Sequence, residues 1–255
     1  HDNNSTMALQ EELEKQGNYL FKYRSIIPLI FLVAGIGAFI QTVLSARGFK
    51  NPETDAIYWF ICLFVCFIGF AIRVYTVGHT PKNTSGRNTE GQLADELNTT
   101  GIYSSVRHPL YLGNFFMWLG VAMLTENVWF IGLFIFLYWV YYERIMFAEE
   151  QFLRGKYGST YIDWANRTPA FIPSLKNTQK PKWPFSWKKV LKKEKNGFFA
   201  IFIIFFLFKC VENYLAKTDI VKIDWLLFAT IASGVLYLIL KFIKRFSTLL
   251  DEENR

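Results

Sequence analysis

"SVRHPLYLGNFFMWLG" occupies residues 105–120. Its second half is apolar enough for lipid, yet its first half carries Arg107, His108 and Pro109. Proline has a fixed φ and no N–H, so it suits the first position of a helix. His108 then falls at the N-cap, and the pattern predicts a helix from Pro109 to Leu124. The unpaired N–H groups and the positive dipole end of that helix would face whatever lies near Arg107 and His108, which is an anion-binding arrangement. Tyr111 projects from the first turn. Gly113 leaves room for a ligand or another helix to approach closely. A polar cap on an apolar stem makes sense where a membrane helix starts at the water boundary.

The rest of the chain supports a membrane setting. Of 255 residues, 52% are hydrophobic and 18% aromatic, with 26 Phe, more than an ordinary soluble domain carries. The excess falls in blocks: Ser25 to Leu44, Ala56 to Val77, Leu110 to Leu124, Val128 to Tyr142, Phe198 to Phe208 and Asp224 to Ile243. A spanning helix needs roughly 17–25 apolar residues. Three blocks reach that outright, and three need flanking residues to span. The expected fold class is all-α, a polytopic membrane protein of about six transmembrane helices with a pocket on the cytoplasmic face.

Orientation follows from Lys and Arg. With the N-terminus inside, 22 basic residues fall in inside segments and five in outside loops, while Arg73 lies near the end of the second span. This asymmetry predicts both termini on the cytoplasmic side. The net charge of +7 then suits anionic lipid headgroups. No zinc finger, helix-turn-helix or RNA-binding signature points to nucleic acid. Cys62, Cys66 and Cys210 lie in apolar blocks without metal-ligand spacing, so neither a disulfide framework nor a metal is expected. The first residues, through Met7, resemble an expression remnant.

The chain divides into a tail (1–24), a first transmembrane helix and loop (25–56), a core (57–175), a basic interfacial linker (176–197), a C-terminal transmembrane pair (198–246) and a tail (247–255). "TEN" (Thr125 to Asn127) reads as a tight turn joining antiparallel helices. "YYERIMFAEEQFLRGKYG" continues the fourth span as a helix, ended by Gly155 and Gly158. "WPFSWKKVLKKEKNG" reads either as a helix lying among headgroups or as a plain basic linker. The last two spans read as completing the bundle.

Because the "TEN" turn makes the third and fourth spans neighbours, distances along them can be compared. About 16 residues separate Pro109 from Leu124 and about 22 separate Val128 from Glu149, roughly 24 and 33 Å of helix. The pair Glu149–Glu150 therefore comes near the level of His108 on the same membrane face. Carboxylates that attract a cation face a helix end that attracts an anion, which suits a zwitterionic ligand bearing hydroxyls.

These residues carry a resemblance. "GIYSSVRHPLYLG", then "EEQFLRGKYGSTYIDW" and "RTPAFIP", resembles the isoprenylcysteine carboxyl methyltransferase family and its phospholipid methyltransferase relatives. The match runs through Gly101, Tyr103, Arg107, His108, Pro109, Tyr111 and Gly113, then Glu149, Glu150, Tyr157, Gly158 and Tyr161, and Arg73 resembles a family position. The resemblance implies a membrane-embedded methyltransferase that takes S-adenosyl-L-methionine as cofactor and a membrane lipid or lipidated molecule as acceptor. It implies a cofactor pocket of Tyr103, His108, Tyr111, Gly113, Glu149 and Glu150. Arg107 and Glu150 would be catalytic, with Arg107 orienting an anionic acceptor. Arg73 and Arg87 would help bind that acceptor; Ser85, Gly86 and Arg87 together suit a phosphate cradle or an ordinary solvated turn. Methyl transfer from a sulfonium to an existing oxyanion needs positioning and exclusion of water more than a strong base. Two alternatives stand beside this reading. A membrane reductase with a related helical core would bind NADPH, and a carrier would place polar groups deep in its spans.

Overall fold

A computed structural model describes residues 8–45, 52–81, 95–176 and 178–252. Among the described residues eight α-helices follow in order: α1 (Leu9–Lys22), α2 (Ile27–Leu44), α3 (Pro52–Gly78), α4 (Pro109–Met123), α5 (Val128–Tyr157), α6 (Ser159–Ala165), α7 (Trp187–Leu215) and α8 (Trp225–Phe246). A single turn of 3-10 helix, Gly101–Ser104, precedes α4. The fold is all-α and polytopic. Among the described residues five helices (α2, α3, α5, α7 and α8) are long and apolar enough to cross a membrane. The sixth expected span, α4, is apolar but has only 15 residues. The blocks ending at Tyr142 and Phe208 prove to be parts of longer helices, α5 with 30 residues and α7 with 29.

Local chemistry sets the helix ends. Asn127 caps α5 by accepting from the Phe130 N–H at 3.0 Å, and Asp224 caps α8 by accepting from Leu227 N–H at 3.0 Å. Such caps satisfy N–H groups that a helix start leaves open. Gly158 ends α5 with φ +53°, a conformation glycine adopts at little cost. The "TEN" turn forms as expected. The Thr125 hydroxyl donates to Ala122 O at 2.7 Å, and Glu126 has φ +51°.

The long apolar helices α2, α3, α4, α5, α7 and α8 alternate in direction, so the C-terminal ends of α3 and α5 and the N-terminal ends of α4 and α7 gather on one face. Ser186 N–H donates to Gly78 O, joining the start of α7 to the end of α3. At the opposite face the Tyr58 hydroxyl donates to Met123 O at 2.8 Å, joining the start of α3 to the end of α4. Two apolar cores flank α4. One packs Phe39, Cys62, Cys66, Leu124, Phe205 and Phe208 among α2, α3, α4 and α7. The other packs Phe21, Tyr111, Phe134, Tyr138, Tyr142 and Ile145 among α1, α4 and α5. Large apolar side chains such as Phe136, Phe228 and Phe242 point outward, the pattern expected where the surrounding solvent is lipid.

Small residues let α3 and α4 touch backbone to backbone. A Cβ on Gly69 would lie 2.3 Å from Gly113 O, and one on Gly120 would lie 2.5 Å from Cys62 O. Two segments differ from the sequence reading. Residues 9–22 are not a loose tail: α1 packs along α5 so closely that a Cβ on Gly17 would fall 2.1 Å from Arg144 O. Nor does the basic stretch from Trp187 to Gly197 stand apart as a linker. It is the first turns of α7, capped by Ser186, with Lys189, Glu194 and Lys195 buried.

Candidate functional site

The site grows from the segment before α4. Gly101 has φ +61°, which turns the chain tightly into the 3-10 turn. Residues 105–108 then run beside the segment after α6. Arg107 N–H donates to Pro169 O at 2.9 Å, His108 N–H to Ala170 O at 3.2 Å, and Ser174 N–H to Ser105 O at 2.9 Å. The Trp164 indole donates to Tyr103 O at 3.0 Å. The "RTPAFIP" segment is thus what holds the N-terminus of α4 in place, with Val106 fully buried at its centre.

His108 is 7% exposed and sits between the two glutamates of α5. Its Nε2 is 3.0 Å from Glu150 Oε1 and its Nδ1 is 3.5 Å from Glu149 Oε2. With a carboxylate at each ring nitrogen, the doubly protonated imidazolium is the form that satisfies both. Burial alone would lower the His108 pKa, but hydrogen bonds and negative charge from Glu149 and Glu150 outweigh it, and the net direction is upward. Tyr111 donates its hydroxyl to Glu149 Oε1 at 2.5 Å, and Tyr138 donates to Tyr111 O at 2.7 Å.

Arg107, the residue expected to orient an anionic acceptor, is hydrogen-bonded within the protein. Nε donates to Glu150 Oε1 at 2.8 Å and Nη2 to Oε2 at 3.3 Å, while Nη1 donates to Ala165 O at 2.7 Å and Thr168 O at 2.8 Å. The guanidinium clamps α5 and the chain after α6 to the start of α4. It is engaged by protein on both edges. Its charge and that of His108 are matched locally by Glu149 and Glu150.

The remaining expected site residues divide. Tyr103 lies in the cluster, half-buried; burial first, then the negative charge of Glu149, push its phenol pKa up, while Arg73 opposes. Gly113 faces α3, not a ligand: a Cβ there would meet Arg73 Cγ at 2.6 Å and Gly69 O at 2.9 Å. Arg73 lies one layer deeper, in a two-point ion pair with Glu194 of α7. Arg87, with the Ser85–Gly86–Arg87 cradle, lies outside the described residues. Sequence reasoning missed Glu194, Asn114, Tyr138 and Tyr142. The two tyrosines stand at helical spacing along the α5 face carrying Glu149, a signal that resembles ordinary interface aromatics. The Tyr161 hydroxyl is buried beside the site and interacts with Glu150.

A membrane-spanning helical bundle with a compact charged cluster where one short helix begins is the class this architecture defines. Residues 57–160 match the phospholipid methyltransferase family model, and several similar proteins carry methyltransferase names. The chain is 31% identical over 104 residues to a protein-S-isoprenylcysteine O-methyltransferase of Saccharomyces cerevisiae, covering 41% of this chain and 43% of that protein. It is 25% identical over 153 residues to the protein of that name from Tribolium castaneum, covering 57% and 52%. A nickel-cobalt-cadmium resistance protein, NccN, of Alcaligenes xylosoxydans xylosoxydans is 35% identical over 85 residues, covering 33% and 39%. The chain thus spans about half or less of the length of these relatives. No solved structure matches it significantly.

Proposed function

We propose that the protein is an S-adenosyl-L-methionine-dependent integral membrane methyltransferase acting on a carboxylate or phosphate oxygen of a lipid or lipidated acceptor. The observation that carries this reading is His108 held between Glu149 and Glu150 at the N-terminus of α4. The donor set fits the cofactor's chemistry. The two carboxylates are partly open and suit an ammonium and ribose hydroxyls, and the buried Tyr161 hydroxyl beside Glu150 offers a further polar contact. The excess of basic residues on this face of the bundle supports a cytoplasmic site close to anionic headgroups.

S-adenosylmethionine supplies a methyl group on a sulfonium, open to in-line attack by an acceptor oxygen. This chain's residues bind and orient. Glu149 and Glu150 hold the cofactor's cationic and hydroxyl groups, with Tyr103, His108 and Tyr111 lining the same pocket. Arg107 is a positioning residue that keeps Glu150 in register. Arg73 faces the acceptor's anionic group. An acceptor that arrives as an oxyanion needs no general base, so alignment and a dry surround do most of the work. The phenylalanine-rich faces of α3 and α4 supply that dryness.

Calorimetry with S-adenosylhomocysteine and with NADPH, run on the purified chain, tests this reading. Micromolar binding of S-adenosylhomocysteine, weakened by Glu150→Ala, is the expected result. Binding of NADPH alone would instead establish the reductase reading.

A further inference from the structure

Glu194 lies on α7, outside the family-matched segment of residues 57–160. Its side chain is 3% exposed, whereas that of Arg73 is 17% exposed. Arg73 Nε donates to Glu194 Oε2 at 2.8 Å and Nη2 to Oε1 at 2.7 Å; Nη1 donates to Asn114 Oδ1 at 2.7 Å. An arginine has five N–H groups, and among the described residues these bonds account for three. Two of its N–H donors therefore have no hydrogen-bond partner among the described residues.

The ion pair is continuous with the cluster at His108. Asn114 follows Gly113 on α4, and Tyr142 lies against Asn114 and Tyr138. The Tyr142 ring is 4.8 Å from that of Tyr111, whose hydroxyl reaches Glu149. Charged groups within spans are costly and persist where they are paired or used. This pair, with Asn114, sits where α3, α4 and α7 meet. The two-point contact that Glu194 makes is also the contact by which an arginine takes a carboxylate or phosphate.

We propose that Glu194 is an internal competitor for Arg73. The acceptor's lipid-borne oxyanion docks on Arg73 against the pull of Glu194, which sets how strongly anionic the acceptor must be. On this view α7 contributes a specificity-determining residue and is more than a wall of the bundle. The inference rests on the proposed role of Arg73 in holding the acceptor.

Native mass spectrometry of the full chain in detergent tests it with three probes: dioleoyl phosphatidate for a phosphate, S-farnesylcysteine for a carboxylate and dioleoylglycerol as neutral control. Wild type is expected to prefer one anionic probe over the neutral one, and which one identifies the source of the oxyanion. Glu194→Gln should bind that probe about fivefold more tightly without gaining affinity for dioleoylglycerol, and Arg73→Gln should lose the preference. Glu194→Asp keeps the charge but shortens the reach and should show a smaller gain, so it decides the matter if Glu194→Gln does not fold. Anion affinity at or below wild type in the folded Glu194 variants, or an equal gain for the neutral lipid, overturns the inference. S-adenosylhomocysteine binding separates the two readings. Its retention with no gain in lipid affinity sinks only the role of Glu194, and its absence from wild type sinks the methyltransferase.

Discussion

Arg107 and Glu150 meet at two points, 2.8 and 3.3 Å, while the other edge of the guanidinium holds the carbonyls of Ala165 and Thr168. One side chain thus ties together α4, α5 and the chain after α6. Lysine cannot reproduce a flat fork that serves three partners. Arg107→Lys should lower stability by about 2–3 kcal/mol, as loss of charged hydrogen bonds in a part-buried setting does, and should weaken S-adenosylhomocysteine binding through Glu150. Thermal unfolding in detergent alongside calorimetry measures both. Normal stability and normal affinity with turnover lost would show that Arg107 touches the reacting groups instead.

His108 makes stability depend on pH. Its pKa in the folded chain is raised above the ordinary histidine value of about 6.5. A raised folded value means the charged form binds its proton more tightly in the native state. The stabilisation is therefore complete below about pH 6.5 and fades as pH rises through the folded pKa. Melting temperature followed from about pH 6 to pH 9 should fall in wild type, and this fall should be shallower in His108→Gln. A wild-type melting temperature that rises over this range would contradict the imidazolium between the two glutamates.

Gly113 tests the contact between α3 and α4. Its missing Cβ is where Arg73 Cγ and Gly69 O already sit. Gly113→Ala should cost about 1–3 kcal/mol through overpacking, despite alanine's better helix propensity. The displaced Arg73 should also weaken binding of the anionic lipid probe more than that of S-adenosylhomocysteine. Parallel lipid and cofactor titrations resolve the two effects. An unchanged melting temperature together with selective loss of S-adenosylhomocysteine binding would return Gly113 to the cofactor pocket.

Much of the fold was legible because lipid-facing helices advertise themselves by apolar run length. Pro109 marked the start of α4, "TEN" marked the turn, and the turn put Glu149 and Glu150 within reach of His108. What the sequence concealed was pairing across distant segments. Arg107 looked like an open anion receptor because its partners, Ala165 O and Thr168 O, are backbone atoms that no motif encodes. Glu194 looked like one more charge in a basic stretch, since only the packing of α7 on α3 brings it to Arg73. Gly113 was seen as a place of close approach, but whether helix or ligand approaches depends on neighbours the local sequence does not name.

The shortness of α4 has a consequence for the membrane itself. Its 15 residues rise about 22 Å, less than the roughly 30 Å of a hydrocarbon core. Gly113 lies against Gly69 and Arg73, and Gly120 against Cys62 and Cys66, so the near end of α4 comes level with the last turn of α3. The shortfall falls at the other end, where Met123 O stops beside Tyr58, inside the first turns of α3. A bilayer meets such a mismatch by thinning locally, and here that thinning belongs to the face opposite the charged cluster.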